Sequence, residues 1–130
     1  MPLRSVNPAS LAAPRGYSHG MLGAGRLLFV AGQVGWDSEG RMISGDFVDQ
    51  FGRALDNVLA VVAAAGGSPT CLARLTLYVT DKREYLQRLA DVGASYRQRM
   101  GRHFPAMALV EVKSLLLDEA KVEIEATALL

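Results

Sequence analysis

The chain has 130 residues, 50% of them apolar and 21% charged, which fits one globular domain able to bury a core without staples. Its 14 basic residues against 13 acidic ones leave the net charge near zero, which argues against nucleic acid or an anionic membrane as the main partner. The single cysteine, Cys71, excludes an internal disulfide and a thiolate metal cluster, and no apolar run reaches membrane length or resembles a signal sequence, so a cytoplasmic setting is expected.

Residues 1–16 are rich in proline, alanine and serine and read as an arm on a single domain spanning residues 1–130. Residues 27–34, LLFVAGQV, form a short apolar run that predicts a buried strand. The DSEG stretch at 37–40 is turn chemistry, so residues 41–44 are expected to return as the brief second arm of a hairpin. Phe47, Phe51, Leu55, Val58 and Val62 recur at helical spacing, and Gly66-Gly67 supplies a stop, which predicts a helix over 47–65.

Residues 72–79 alternate, with Leu75, Leu77 and Val79 on one face and Arg74, Thr76 and Tyr78 on the other, so a strand is expected. A second helix should start at Asp81, with Glu84 reaching back as in a capping box and Tyr85, Leu89, Val92 and Tyr96 as its inner stripe. Arg97, Arg99 and Arg102 fall at its end, where positive charge complements the helix dipole. Two last strands are expected at 106–112 and 121–130, giving a partly parallel sheet with hairpins at either end.

The final strand places Val122, Ile124, Ala126 and Ala128 on one face and Glu123, Glu125 and Thr127 on the other. Two helices cover only one face of such a sheet. The other face, part apolar and part acidic, reads as a subunit interface. His19 and His103 lie far apart without ligand spacing, so no metal site is expected.

The motifs GYSHG (16–20), AGQV (31–34), GDFVDQFGRALDNVLAVVAAAG (45–66), LTLYVTD (75–81), FPAMALVEV (104–112) and VEIEATA (122–128) are together similar to the YjgF/RidA family. These are the reactive-intermediate deaminases also labelled L-PSP endoribonucleases. Each motif alone is weak, but their order and spacing over residues 15–128 are specific. The resemblance implies an α+β, chorismate-mutase-like fold: a mixed sheet with two helices on one face. It also implies a homotrimer with a central barrel, a small-molecule ligand in each cleft between subunits, and no cofactor. Family members of the archetypal type hydrolyse imines and enamines such as 2-aminoacrylate to a 2-keto acid and ammonia.

On the same resemblance, Glu123 matches the cleft glutamate that positions the attacking water, and it is the expected catalytic residue. Tyr17 matches the tyrosine that closes the pocket. Gly32 lets the backbone approach a ligand closely, and Ala106 keeps the short side chain whose backbone helps polarise the bound group. Two positions depart from the pattern. Ala31 stands where many members carry serine, and Met107 stands where the archetype has an arginine that grips the substrate carboxylate in two parallel hydrogen bonds.

A thioether replaces that grip with a weak acceptor. Losing it weakens carboxylate binding by roughly 2–5 kcal/mol, judged from truncated buried charge pairs. Arg15, two residues before Tyr17, is the candidate replacement cation. A cleft lined by Met107, Ala31 and Phe104 or Trp36 favours a neutral or less acidic ligand. The expected activity is thus cofactor-free hydrolysis of a small imine or enamine other than 2-aminoacrylate. The alternative is a non-catalytic or regulatory trimer that binds a small molecule in the same clefts. RNA cleavage fits poorly, because the near-neutral charge and the lack of paired histidines give no way to hold or cut RNA.

Overall fold

A computed structural model describes residues 2–130. The main sheet contains β3 (Leu27–Gln33), β4 (Leu72–Val79), β5 (Ala106–Glu111) and β6 (Val122–Leu129), in the order β3-β6-β4-β5. Strands β4 and β5 are parallel, and β6 is antiparallel to both β3 and β4. The sheet is therefore mixed, as its helical crossovers require.

The expected hairpin pairing is not what forms. Strand β6 inserts between β3 and β4, so β5 and β6 never touch as neighbours. Burial explains the order: Val122, Ile124, Ala126 and Ala128 are all at most 5% exposed, which demands a central position, whereas β5 leaves Val110 and Glu111 to solvent and suits an edge. The return at residues 41–44 is only an isolated bridge from Trp36 to Met42. It is held by the turn, where Asp37 Oδ1 accepts from the Glu39 and Arg41 amides at 2.9 and 3.0 Å. Those two amides hold the Asp37 carboxyl below the usual carboxylate range.

The helix α1 (Phe47–Ala64) packs its apolar stripe on β3 and β6. Phe47, Phe51, Ala54, Leu55, Val58 and Val62 are all at most 2% exposed, so the spacing seen in the sequence is the core face. Asp46 caps it by accepting from the Asp49 amide at 3.1 Å. Gln50, fully buried, donates its amide to the carbonyls of Ser44 and Glu119 and accepts from the Lys121 amide. One side chain thus ties the start of α1 to the loop before β6.

The second helix departs from expectation in two ways. It is split into α2 (Lys82–Gln87) and α3 (Leu89–Met100) by Arg88, at φ −113° and ψ 22°, so the chain has three α-helices rather than two. At the break Arg88 forms ion pairs with Asp46 at 3.0 Å and Asp91 at 2.9 Å. Asp81 does cap α2, but Glu84 pairs with Lys121 at 3.4 Å instead of reaching back. The inner stripe is likewise narrower: Val92 and Tyr96 are buried, while Leu89 is 49% exposed.

The N-terminal arm also contains structure. Strands β1 (Arg4–Val6) and β2 (Gly20–Leu22) pair antiparallel as a small separate ribbon. Residues 7–19 between them fold back so that the Ser18 amide donates to the Pro105 carbonyl at 3.0 Å, beside the first residue of β5. The face of the main sheet opposite the helices is uncovered. On it Phe29 is 73% exposed and Leu27 62%.

Candidate functional site

Glu123 owes its placement to an irregularity in β3. Val30 pairs with Ala126, but Gln33 pairs with Ile124, so β3 carries one extra residue between them, a β-bulge containing Ala31 and Gly32. A Cβ on Gly32 would lie 2.8 Å from Glu123 Cδ and 2.9 Å from its Oε2. The carboxylate therefore rests against backbone that only glycine leaves open.

The two carboxylates of β6 have different surroundings. The Tyr78 hydroxyl donates to Glu125 Oε1 at 2.5 Å. That bond, reinforced by burial and by the charges of Glu125 and Glu123, pushes the Tyr78 phenol above its ordinary value. Glu123 is half-buried and makes no side-chain hydrogen bond or ion pair among the described residues. It keeps its lone pairs available, whereas Glu125 has a structural partner.

Ala106 and Met107 sit at the start of β5, on the opposite edge of the sheet from Gly32. Ser18 lies beside Ala106 and donates its hydroxyl to the Phe104 carbonyl at 2.5 Å, which carries Tyr17 to the same place. Tyr17 stands edge-on to the His19 ring, with centroids 5.4 Å apart. Tyr17, Ala106 and Met107 line a cavity of about 200 Å³ together with Arg74 and Thr76. Met107 also lines a second cavity, of about 310 Å³, with Arg15, Tyr85, Gly93 and Arg97.

The expected site residues thus fall into two groups within one chain. Gly32 and Glu123 touch, with Ala31 in the same bulge, while Tyr17, Ala106, Met107 and Arg15 cluster around the other edge. Met107 pairs with Leu75 of β4 and Glu123 with Tyr78. Three residues along the strands and two strands across put the two positions about 14 Å apart. They also project to opposite faces, since Leu75 is buried under the helices and Tyr78 is not.

Two residues of the larger cavity were not in the expected site. Arg97 read as ordinary helix-end charge, and Tyr85 read as core packing. A usable signal was present: Gly93 lies in a helix interior, where glycine costs about 1 kcal/mol relative to alanine and calls for a reason. Among the described residues, no group of three or more His, Cys, Asp or Glu side chains is placed to hold a metal ion. No described helix is long and apolar enough to cross a membrane.

A family model described as Endoribonuclease L-PSP matches residues 7–130. The human 2-iminobutanoate/2-iminopropanoate deaminase is 31% identical over 114 residues, which cover 87% of this chain and 79% of that protein. The crystal structure of YyfB from Yersinia pestis, a Rid-family protein of unknown function, matches with a TM-score of 0.89 at 32% identity and full coverage of both chains. The Escherichia coli YjgF gene product, also 32% identical, matches with a TM-score of 0.69, covering 97% of this chain and 98% of the other. At equal identity the backbone of this chain follows YyfB more closely than YjgF. A match over nearly its whole length, with the same mixed sheet, makes this chain a member of the YjgF/RidA family.

Proposed function

We propose that the chain is a cofactor-free hydrolase of a small imine or enamine other than 2-aminoacrylate, acting in clefts between the subunits of a homotrimer. The observation that carries this reading is the contact between the Glu123 carboxylate and the Gly32 backbone, which leaves a carboxylate without a protein partner beside an open backbone. The name of the human relative supports the reaction class. The separation of the two groups supports the inter-subunit placement. Glu123 and Met107 of one chain cannot reach the same small molecule, so a complete site needs the Gly32–Glu123 bulge of one subunit against the Tyr17–Met107 edge of the next.

In this reading Glu123 orients a water on the imine carbon and accepts its proton as the C–O bond forms. The nitrogen takes up a proton, the carbinolamine collapses, and the C–N bond breaks to release ammonia and leave a carbonyl. Water supplies both the oxygen and the hydrogens, so neither a metal nor an organic cofactor is needed for the balance. Tyr17 closes the pocket, and the backbone at Gly32 and Ala106 lies close to the polarised group. Met107 in place of the archetypal arginine supports a substrate other than 2-aminoacrylate. The closer backbone match to YyfB than to YjgF at equal identity supports the same divergence.

The test is ammonia release from freshly generated imines of increasing side-chain size, with 2-aminoacrylate as the smallest. The protein should turn over the larger imines, do little with the smallest, and lose roughly a hundredfold or more in the Glu123→Gln variant, as expected for loss of a general base. No turnover of any imine, or equal turnover by the variant, sinks the hydrolase reading. A ligand-binding trimer would then remain, a reading that the loss of the arginine at Met107 specifically favours.

A further inference from the structure

The 310 Å³ cavity between α3 and β5 contains two arginines, Arg15 and Arg97, and its lining includes no acidic residue. Two arginines of this region that make ion pairs, Arg88 between α2 and α3 and Arg99 in α3, show what a structural role looks like here. Arg88 is bound to Asp46 and Asp91, and Arg99 to Asp56 at 2.7 Å. Arg97 and Arg15 make no ion pair or side-chain hydrogen bond among the described residues, and both lie at the same cavity.

The course of Arg97 is unusual as well. A Cβ on Gly93, one turn earlier, would lie 3.1 Å from Arg97 Nη1. The guanidinium therefore lies back along the helix over the space left by a missing side chain, and Arg97 stays exposed at the rim of the cavity. The rest of the lining is mostly apolar, including Leu77, Leu89 and Val92. Two further groups qualify that wall. Tyr96 donates its hydroxyl to the His103 carbonyl at 2.6 Å and is satisfied, whereas the Tyr85 hydroxyl has no protein partner among the described residues. Burial raises the Tyr85 phenol above its ordinary value, so it remains a donor at neutral pH.

We propose that Arg15 and Arg97 replace the arginine missing at Met107, so that this cavity takes a small carboxylate carrying an apolar, ring-sized body. The guanidiniums grip the carboxylate at the rim, since planar forks suit that geometry. The body fills the apolar floor, where Met107 now contributes packing instead of charge. On this proposal the ligand is an anion rather than the neutral molecule that Met107 alone suggests, with the cation moved from β5 to the helix and the N-terminal segment. By the same argument 2-aminoacrylate should fit poorly, since its three-carbon skeleton leaves the floor unfilled. The inference rests on the cleft reading above for where the ligand would react, but not for how it binds.

Binding by calorimetry tests it with three probes. Phenylpyruvate has both carboxylate and ring, pyruvate only the carboxylate, and phenylacetone only the ring and ketone. Phenylpyruvate should bind tighter than either of the others. Arg97→Gln should weaken it by about tenfold or more, as for loss of a hydrogen bond to a charged group, and Arg15→Gln/Arg97→Gln should weaken it further. Phenylacetone binding should not change in either variant, a selectivity that general loss of structure would not give. Absence of phenylpyruvate binding at millimolar concentration, equal binding of phenylpyruvate and phenylacetone by the unaltered protein, or undiminished phenylpyruvate binding by the double variant overturns the proposal. Arginine-dependent binding without turnover of the matching imine would leave the anion grip standing and remove only the hydrolase reading.

Discussion

At Gly32 a single hydrogen in place of a methyl group decides where a carboxylate can lie. Its φ is not in the left-handed region, so alanine is conformationally acceptable there and the cost of adding a Cβ is steric. The obstructing atoms, at 2.8–2.9 Å, belong to the flexible end of Glu123, which can swing aside. Gly32→Ala should therefore leave the melting temperature nearly unchanged while lowering turnover by roughly a hundredfold, the scale of a misplacement of about 1 Å. Paired thermal unfolding and ammonia-release measurements check this; unaltered turnover would mean that the Glu123 position is not critical. Neighbouring Glu125 shows how similar residues diverge. Both alternate onto the same face, yet the Tyr78 hydroxyl reaches only one of them.

At the scale of elements, the entry to α1 is held by a carboxylate with two functions. Asp46 caps the helix and also accepts from Arg88 at 3.0 Å. The Arg88 guanidinium, and after it the Asp49 amide, holds its carboxyl below the usual range. Because the folded value is lower than the unfolded one, the stabilisation is complete above the ordinary aspartate value of 3.8 and is lost as pH falls through the folded value. Asp46→Ala should cost about 1 kcal/mol for the cap at neutral pH. Asp46→Asn keeps a capping oxygen and should cost less, since the pair with Arg88 is well exposed to solvent. Urea unfolding at pH 7 and below pH 3.8 checks the sign: the gap between the protein and Asp46→Asn should narrow in acid.

For the whole molecule, the uncovered sheet face sets the expectation. Phe29 and Leu27 lie exposed on an edge strand beside a row that includes Thr127 and Glu125. Apolar side chains in such a setting mark a protein interface. The protein should sediment as three copies of the 14.0 kDa chain, and Phe29→Glu should shift it to the monomer with the fold retained by circular dichroism. Loss of imine turnover on dissociation would follow if the site needs two subunits. A monomer at micromolar concentration without substitution would refute both the trimer and the shared cleft.

The sequence alone carried the strongest local periodicities and the family motifs. The α1 stripe from Phe47 to Val62, the alternation of β4 and the all-apolar face of β6 were legible because burial selects side chains at the period of the element. Family membership was legible because the motifs span almost the whole chain. What depends on distant neighbours was not. Only the tertiary structure placed β6 between β3 and β4, since strand order follows from which faces compete for the core rather than from chain order. The break at Arg88, where its side chain meets Asp46 at the start of α1, and the pairing of β1 with β2, whose partners lie fourteen to eighteen residues apart, both depend on distant neighbours. The separation of Glu123 from Met107, and the placing of Arg15 and Arg97 at one cavity, were likewise decided by the sheet and the helix packing, because charge at a distance in sequence becomes chemistry only where the fold brings it together.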